Sequence, residues 1–263
     1  MKASDELTID LSEQFPHLAS APIVEAVIHW QARAQVNIHP EKFEQQLKAK
    51  LGDYPDSKVM REYQFEAALQ TDGPSIHSHT ESWDGIRFTS TDKTYVAQFK
   101  KDGLVVSRLE PYMNWETFVA EAERLWTIFV DLAKPLEVQR LGVRFINRIK
   151  STQIEGLGKL LRHPPKRLEA LGFPIRHFFY QSTHDVPGHP YRINIIDTIQ
   201  PSGPSQNEGL GIIIDIDAFT TCAMGTDLRV LKQHMAELHW LKNKAFFNLL
   251  TKSGIKKFGK EPG

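Results

Sequence analysis

Hydrophobic and polar positions alternate with a period of two along most of this chain, and two long stretches replace that rhythm with a helical one. From Ile23 to Ala34, the residues Val24, Ala26, Ile28 and Trp30 face one way and Glu25, Val27, His29 and Gln31 the other, which is the pattern of a half-polar strand. His39-Pro40 then opens a helix with Phe43, Leu47 and Leu51 at helical spacing and Gly52 as its stop. Tyr54-Pro55-Asp56 turns the chain into strands expected at Lys58–Gln70, Ile86–Thr91, Thr94–Lys100 and Leu104–Leu109. Asp72-Gly73-Pro74, Thr91-Asp92-Lys93 and Asp102-Gly103 punctuate them as hairpin turns do. Asn114 caps a long helix whose apolar stripe runs through Trp115, Phe118, Val119, Ala122, Leu125, Trp126, Phe129 and Leu132 to a stop at Pro135.

The order then begins again. Glu137–Ile149 reads as a strand, Leu157–Arg162 as a short helix stopped by Pro164-Pro165, and Arg176–Thr183, Tyr191–Thr198 and Gly211–Phe219 as further strands. Asp227 caps a final helix with Leu228, Leu231, Met235, Leu238, Leu241, Ala245 and Leu249 facing inward. Asp185–Pro190 and Gln200–Gly209 read as mobile loops, and Lys252–Gly263 as a frayed tail. The expected fold is therefore α+β and pseudo-duplicated. Residues 22–134 and 136–251 form two strand-helix-strands-helix halves, preceded by an extension at 1–21 and followed by a basic tail at 252–263. Hairpin-length turns imply a mainly antiparallel sheet, covered on one side by the long helices and polar on the other.

Composition narrows the function classes. Among 263 residues, 32 Lys+Arg balance 32 Asp+Glu, so the excess of positive charge that a general polyanion binder needs is missing. The single Cys222 cannot form an intramolecular disulfide or a zinc ribbon; in its small-residue stretch it reads as a buried or partly buried structural thiol. The start, MKASDELTIDLSEQ, has acidic residues where a secretory signal would be basic, and no apolar stretch approaches a bilayer span. A cytoplasmic protein without membrane contact is expected.

Four segments together resemble a sporadically distributed bacterial family of conserved proteins of unknown function. They are Ala21-Pro22-Ile23-Val24-Glu25-Ala26-Val27, Ser107-Arg108-Leu109-Glu110-Pro111-Tyr112 with Trp115-Glu116, Leu141–Ile149, and Ile214-Asp215-Ile216-Asp217. The closing pattern of His239, Phe246-Phe247, Leu250-Thr251 and Phe258-Gly259 fits too. The resemblance implies a role in mobile elements, defence or toxin neutralisation, and it supplies no catalytic residues.

The candidate chemistry lies in strand-face arithmetic. Arg140, Arg144 and Arg148 share one face of their strand, while Leu141, Val143, Phe145 and Ile149 take the other; Asp215 and Asp217 likewise oppose Ile214 and Ile216. Were equivalent faces aligned, Arg108, Arg144, Arg148, Arg192, Glu25, His29, Asp215 and Asp217 would meet on one surface. Such a surface suits bidentate capture of carboxylate or phosphate. The competing reading is an internal Arg/Asp ion-pair lattice on a solvent-facing sheet. Asp215 and Asp217 could also hold a divalent ion, but apart from Glu25 no third carboxylate offers itself. His77-x-His79, with His184 and His189, lacks the spacing of a zinc site. His234 and His239 read as packing or capping residues of the last helix, and Lys242, Lys244, Lys252, Lys256, Lys257 and Lys260 as a solvated positive end. No cofactor, metal or catalytic residue is assigned. The expected function is a non-enzymatic binding or interaction protein with a protein partner, using Arg108, Arg144, Arg148, Arg192, Asp215 and Asp217. A metal-dependent enzyme on a nucleotide or phosphorylated substrate ranks second, and a nucleic-acid binder third.

Overall fold

In the computed structural model, residues 6–68, 76–151, 155–165, 172–173, 175–201 and 210–259 are described. The chain folds as an α+β protein around one nine-stranded antiparallel sheet. The strands are β1 (Ile23–Gln31), β2 (Asp56–Ala68), β3 (Ile76–Thr89), β4 (Tyr95–Lys100), β5 (Gly103–Leu109), β6 (Arg140–Ser151), β7 (Phe179–Asp185), β8 (Arg192–Pro201) and β9 (Leu210–Thr220), in the order β2-β3-β4-β5-β1-β6-β9-β8-β7. The helices are α1 (Pro40–Lys50), α2 (Trp115–Ala133), α3 (Leu228–Leu249) and α4 (Lys252–Phe258). None of the described helices is long and apolar enough to cross a membrane.

Register explains which side chains reach the core. Ala26, Ile28 and Trp30 of β1 stand opposite Phe145, Val143 and Leu141 of β6. On the other flank they stand opposite Arg108, Val106 and Leu104 of β5. All of these side chains therefore share one sheet face, because directly paired residues project to the same side. Trp30 stacks on Trp126 of α2 with ring centroids 5.2 Å apart, while α3 packs against β6 and β9. Burying two indoles and the phenylalanines of α2 supplies a large apolar area at about 25 cal/mol per Å². The helix ends follow local chemistry: the Asn114 side chain accepts from the Thr117 N–H at 2.8 Å, and Lys134 takes a left-handed conformation (φ 45°) just before Pro135.

Three expectations need correction. The polar run Ser75–Asp84, placed between strands above, belongs largely to β3. There it pairs with β2, while β4 takes up only Gly85–Thr89, so the two long strands run past the sheet as a two-stranded ribbon. The sequence Ser78–Asp84 has no apolar alternation to read. Gly85 marks the junction, where a Cβ would lie 2.4 Å from the Phe99 carbonyl oxygen. The side chains of His77 and His79 fall outside the described residues, as do Asp72-Gly73-Pro74 and 202–209. Second, the tail is not frayed through 252–259. Thr251 caps α4 by accepting from the Gly254 N–H at 3.0 Å, Phe258 is buried, and its carbonyl accepts from Ser20 N–H at 2.9 Å. Lys260 lies outside the described residues. Third, the Leu157–Arg162 stretch forms a 3₁₀ turn at Glu155–Lys159.

Candidate functional site

The charged strand faces come together in part. Asp217 stands opposite Arg144 and Asp215 opposite Ile146 across the β6–β9 pair. Arg144 grips Asp215 with two bonds, Nε to Oδ1 at 2.8 Å and Nη2 to Oδ2 at 2.5 Å. Arg140 donates to Asp217 at 2.6 Å, approaches His29 Nδ1 at 3.1 Å and lies over the Phe219 ring. Burial and the neighbouring Arg140 and Lys100 charges hold His29 down to about 4, so it is neutral. Each of the two aspartates is thus engaged by an arginine, which leaves little positive charge for an incoming anion. Arg192 stands on the same face as Asp217, but exposed and paired with Asp185 at 3.0 Å. Arg148 also lies on the β6 face of Arg144, and its backbone N–H donates to Pro22 O at 2.7 Å.

Arg108 does not join this surface. It stands opposite Ala26, on the helix side of the sheet, where its guanidinium donates to Thr94 Oγ1 and to Pro111 O (2.9 Å) and lies 4.6 Å from the Tyr95 ring centroid. β5 carries apolar residues on both faces, so composition cannot tell which of Ser107 and Arg108 points inward; the turn at Asp102-Gly103 and the pairing with β1 decide it. Cys222, expected to be at least partly buried, is exposed in the connection after β9. His234 Nδ1 meets Tyr191 OH at 2.6 Å, His184 meets Ser182 at 2.8 Å, and His189 meets Leu7 O at 2.6 Å. These histidines serve separate local contacts.

A cleft of about 1180 Å³ opens elsewhere, between the N-terminal segment, the 110–116 connection, β6 and α3. Its wall on the N-terminal side is tied down: Phe15 stacks on Phe247 at 5.4 Å, and Glu13 pairs with Lys244 at 2.7 Å. Across from it, Trp115 stacks flat on His239 at 4.0 Å, in the first turn of α2. Behind the lining residues sits Phe145, which is buried and packs against three of them. The Lys242 ammonium lies 3.6 Å from its ring centroid, Tyr112 meets it edge-on at 5.3 Å, and His239 lies at 5.9 Å.

The polar groups here interrupt an apolar core. On the helix side of β6 the sequence runs Leu141, Val143, Phe145, Asn147, Ile149, all buried, and Asn147 is its one amide. Its Nδ2 donates to the carbonyls of Ile214 (3.1 Å) and Phe145 (3.4 Å). On α3 the buried set Leu238, Trp240, Leu241 and Phe246 includes Lys242, which is 5% exposed. Lys242 Nζ donates to Asn243 Oδ1 at 2.5 Å, and among the described residues no carboxylate lies within ion-pair distance of it. Burial alone pushes its ammonium down to about 7. His239 is also depressed, first by burial and then by Lys242. The Tyr112 hydroxyl is buried without a hydrogen-bond partner, and burial pushes its pKa up, so it stays protonated.

Ala21-Pro22-Ile23, Glu110-Pro111-Tyr112, Trp115-Glu116, Asn147, His239 and Phe246-Phe247 all line this cleft. From the sequence, Lys242 belongs to a solvated positive end and His239 to packing or a cap; the fold brings both to the cleft, with Lys242 buried. The available signal was a lysine inside an apolar helical stripe and an asparagine where strand alternation calls for an apolar residue. No family model matches the chain, and no curated protein matches it.

Proposed function

We propose that this chain is a binding protein whose recognition site is the cleft between the N-terminal segment and α3. One observation carries the reading: a buried lysine without a carboxylate partner faces an open cavity large enough for a ligand of ordinary metabolite size. Concave sites with an apolar lining and a few convergent polar groups are where ligands bind. A buried ammonium is a standing cost to the fold, and such costs are characteristic of binding sites. The self-paired arginines of the opposite sheet face support placing recognition in the cleft instead of there. The resemblance to a sporadically distributed bacterial family fits in part, since residues of three of its four segments line the cavity while Ile214–Asp217 does not.

The strand order supports an internal duplication. β1 and β6 are antiparallel neighbours at the middle of the sheet, and each is flanked on its outer side by the last strand of its own meander, β5 and β9. With α2 over β5 and α3 over β6 and β9, one-sided cover by the two long helices is the natural arrangement.

The test is an amide and indole NMR map of the protein titrated with a panel of organic acids, phosphate esters, amines, sugars and short peptides. Binding in the cleft shifts signals of Tyr112, Trp115, Asn147 and the His239–Phe247 turns. Shifts confined to β6, β8 and β9 around Arg144 and Asp217 would move recognition to the charged face and overturn the proposal.

A further inference from the structure

The floor of the cleft has more hydrogen-bond donors than acceptors to receive them. The ammonium of Lys242 has three N–H groups, and one is spent on Asn243 Oδ1. The Tyr112 hydroxyl, whose ring packs against the same Phe145 ring, spends none. The indole N–H of Trp240, another residue of the cleft wall, is buried without a partner as well. Buried donors left unmet are costly, and a native fold keeps few of them. A group that satisfied Lys242 and Tyr112 together would carry at least two acceptor lone pairs and a negative charge.

We infer that the cleft takes a small molecule through an anionic group, a carboxylate or a phosphate, held by Lys242 and Tyr112, both of which line it. This deepens the cleft reading and rests on it. The aromatic wall of Trp115, Phe15 and Phe247 would receive the ligand's apolar or planar part. The charge sources facing Lys242 are few. On α3 itself there are His239, held neutral by burial, and Lys244, which is tied to Glu13. From the other walls come Glu110 and Tyr112 in the connection after β5, Glu116 in α2, and Glu13 and His17 in the N-terminal segment. None of these carboxylates reaches ion-pair distance of Lys242, so the anion must be supplied by the ligand.

Binding is then coupled to proton uptake. With the free amine half-protonated near pH 7, an anion that requires the charged form draws a proton from solvent at pH 8.5, and its affinity falls up to tenfold for each pH unit above 7.

The experiment is isothermal titration at pH 8.5 in two buffers of different ionisation enthalpy. It uses the full chain and its Lys242→Met and Tyr112→Phe variants. The probes are inorganic phosphate, acetate, methylammonium and glycerol, with indole signals of Trp115 and Trp240 reporting occupancy. The inference expects phosphate or acetate to bind with uptake approaching one proton, at least tenfold more weakly in Lys242→Met and severalfold more weakly in Tyr112→Phe. Whichever of the two anions meets that criterion identifies the source of the charge. Anion binding unchanged in Lys242→Met, or no proton uptake, overturns the inference. Cleft occupancy by glycerol or methylammonium with anions excluded also overturns it, while leaving the cleft as the binding site. If no probe of any charge perturbs the cleft, both readings fall.

Discussion

Replacing Lys242 with methionine should make the protein more stable, by an amount that depends on pH in a defined direction. The amine is buried without a carboxylate, and its affinity for protons falls from the ordinary lysine value of 10.5 to about 7. That difference corresponds to about 5 kcal/mol, at 1.36 kcal/mol for each pH unit between the two values. Contact with the Phe145 ring at 3.6 Å is part of what keeps the charged form tolerable, and such contacts contribute about 0.5–2 kcal/mol. Because the folded chain gives up this proton near pH 7 while the unfolded chain holds it to 10.5, wild-type stability rises across that window. Below pH 7 both states are protonated and the full cost is present. Methionine has nearly the volume of the lysine stem and no charge, so the variant escapes the cost with little change in packing. Urea unfolding at pH 6.5, 8.0 and 9.5, followed by tryptophan fluorescence, measures the difference directly. The variant should exceed wild type by about 2–4 kcal/mol at pH 6.5, with the gap closing by about 1 kcal/mol for each unit above pH 7. A variant less stable than wild type, or a gap that does not change with pH, would refute the claim that Lys242 is an uncompensated buried amine.

Other perturbations follow from particular contacts. Asp197 is pushed up to about 6 by burial, and its Oδ1 is buried without a hydrogen-bond partner among the described residues. The folded state therefore holds this proton at higher pH than the unfolded one, and stability falls as pH rises from about 4 to 6. Asp197→Asn should add about 1–2 kcal/mol at pH 7 and nothing at pH 3.5 in the same unfolding assay. Arg144→Ala leaves the buried Asp215 carboxylate unpaired and should cost about 1–3 kcal/mol, discounted because the arginine is itself half-exposed. Arg144→Lys should recover only part of that loss, since lysine cannot make both bonds. Gly254→Ala would place a Cβ 2.4 Å from the Leu160 carbonyl oxygen. Loss of about 1–3 kcal/mol, with faster amide exchange in α4, is expected.

Periodicity disclosed the sheet because most strands pair across one dry face. The apolar sets Ala26-Ile28-Trp30 and Leu141-Val143-Phe145 fix their own orientation, and α2 and α3 declare themselves by stripe and cap. It failed where no such constraint acts. The outer half of β3 has a polar sequence and pairs with β2. α4 is too short to announce itself and is held by the burial of Phe258 and the hydrogen bond from Ser20. Arg108 was placed on the wrong face because β5 reads apolar in both phases. The ion pairs Arg144–Asp215 and Arg140–Asp217 were legible as charge at period two, but whether they would neutralise each other depended on register. The cleft was hidden for a different reason. Its walls come from the N-terminal segment, the 110–116 connection, β6 and α3, which only folding assembles. Lys242 and Asn147 each break an apolar pattern in the sequence, but only the fold brings the two to one cavity.

The most direct measurement is a native mass spectrum of the protein purified gently from its own host, taken beside one of its Lys242→Met variant prepared identically. Recognition in the cleft predicts a small-molecule mass carried by the wild type and lost from a folded variant. The same mass retained in equal amount by Lys242→Met, and released instead by Arg144→Ala, would place binding on the charged sheet face and contradict the cleft as the site.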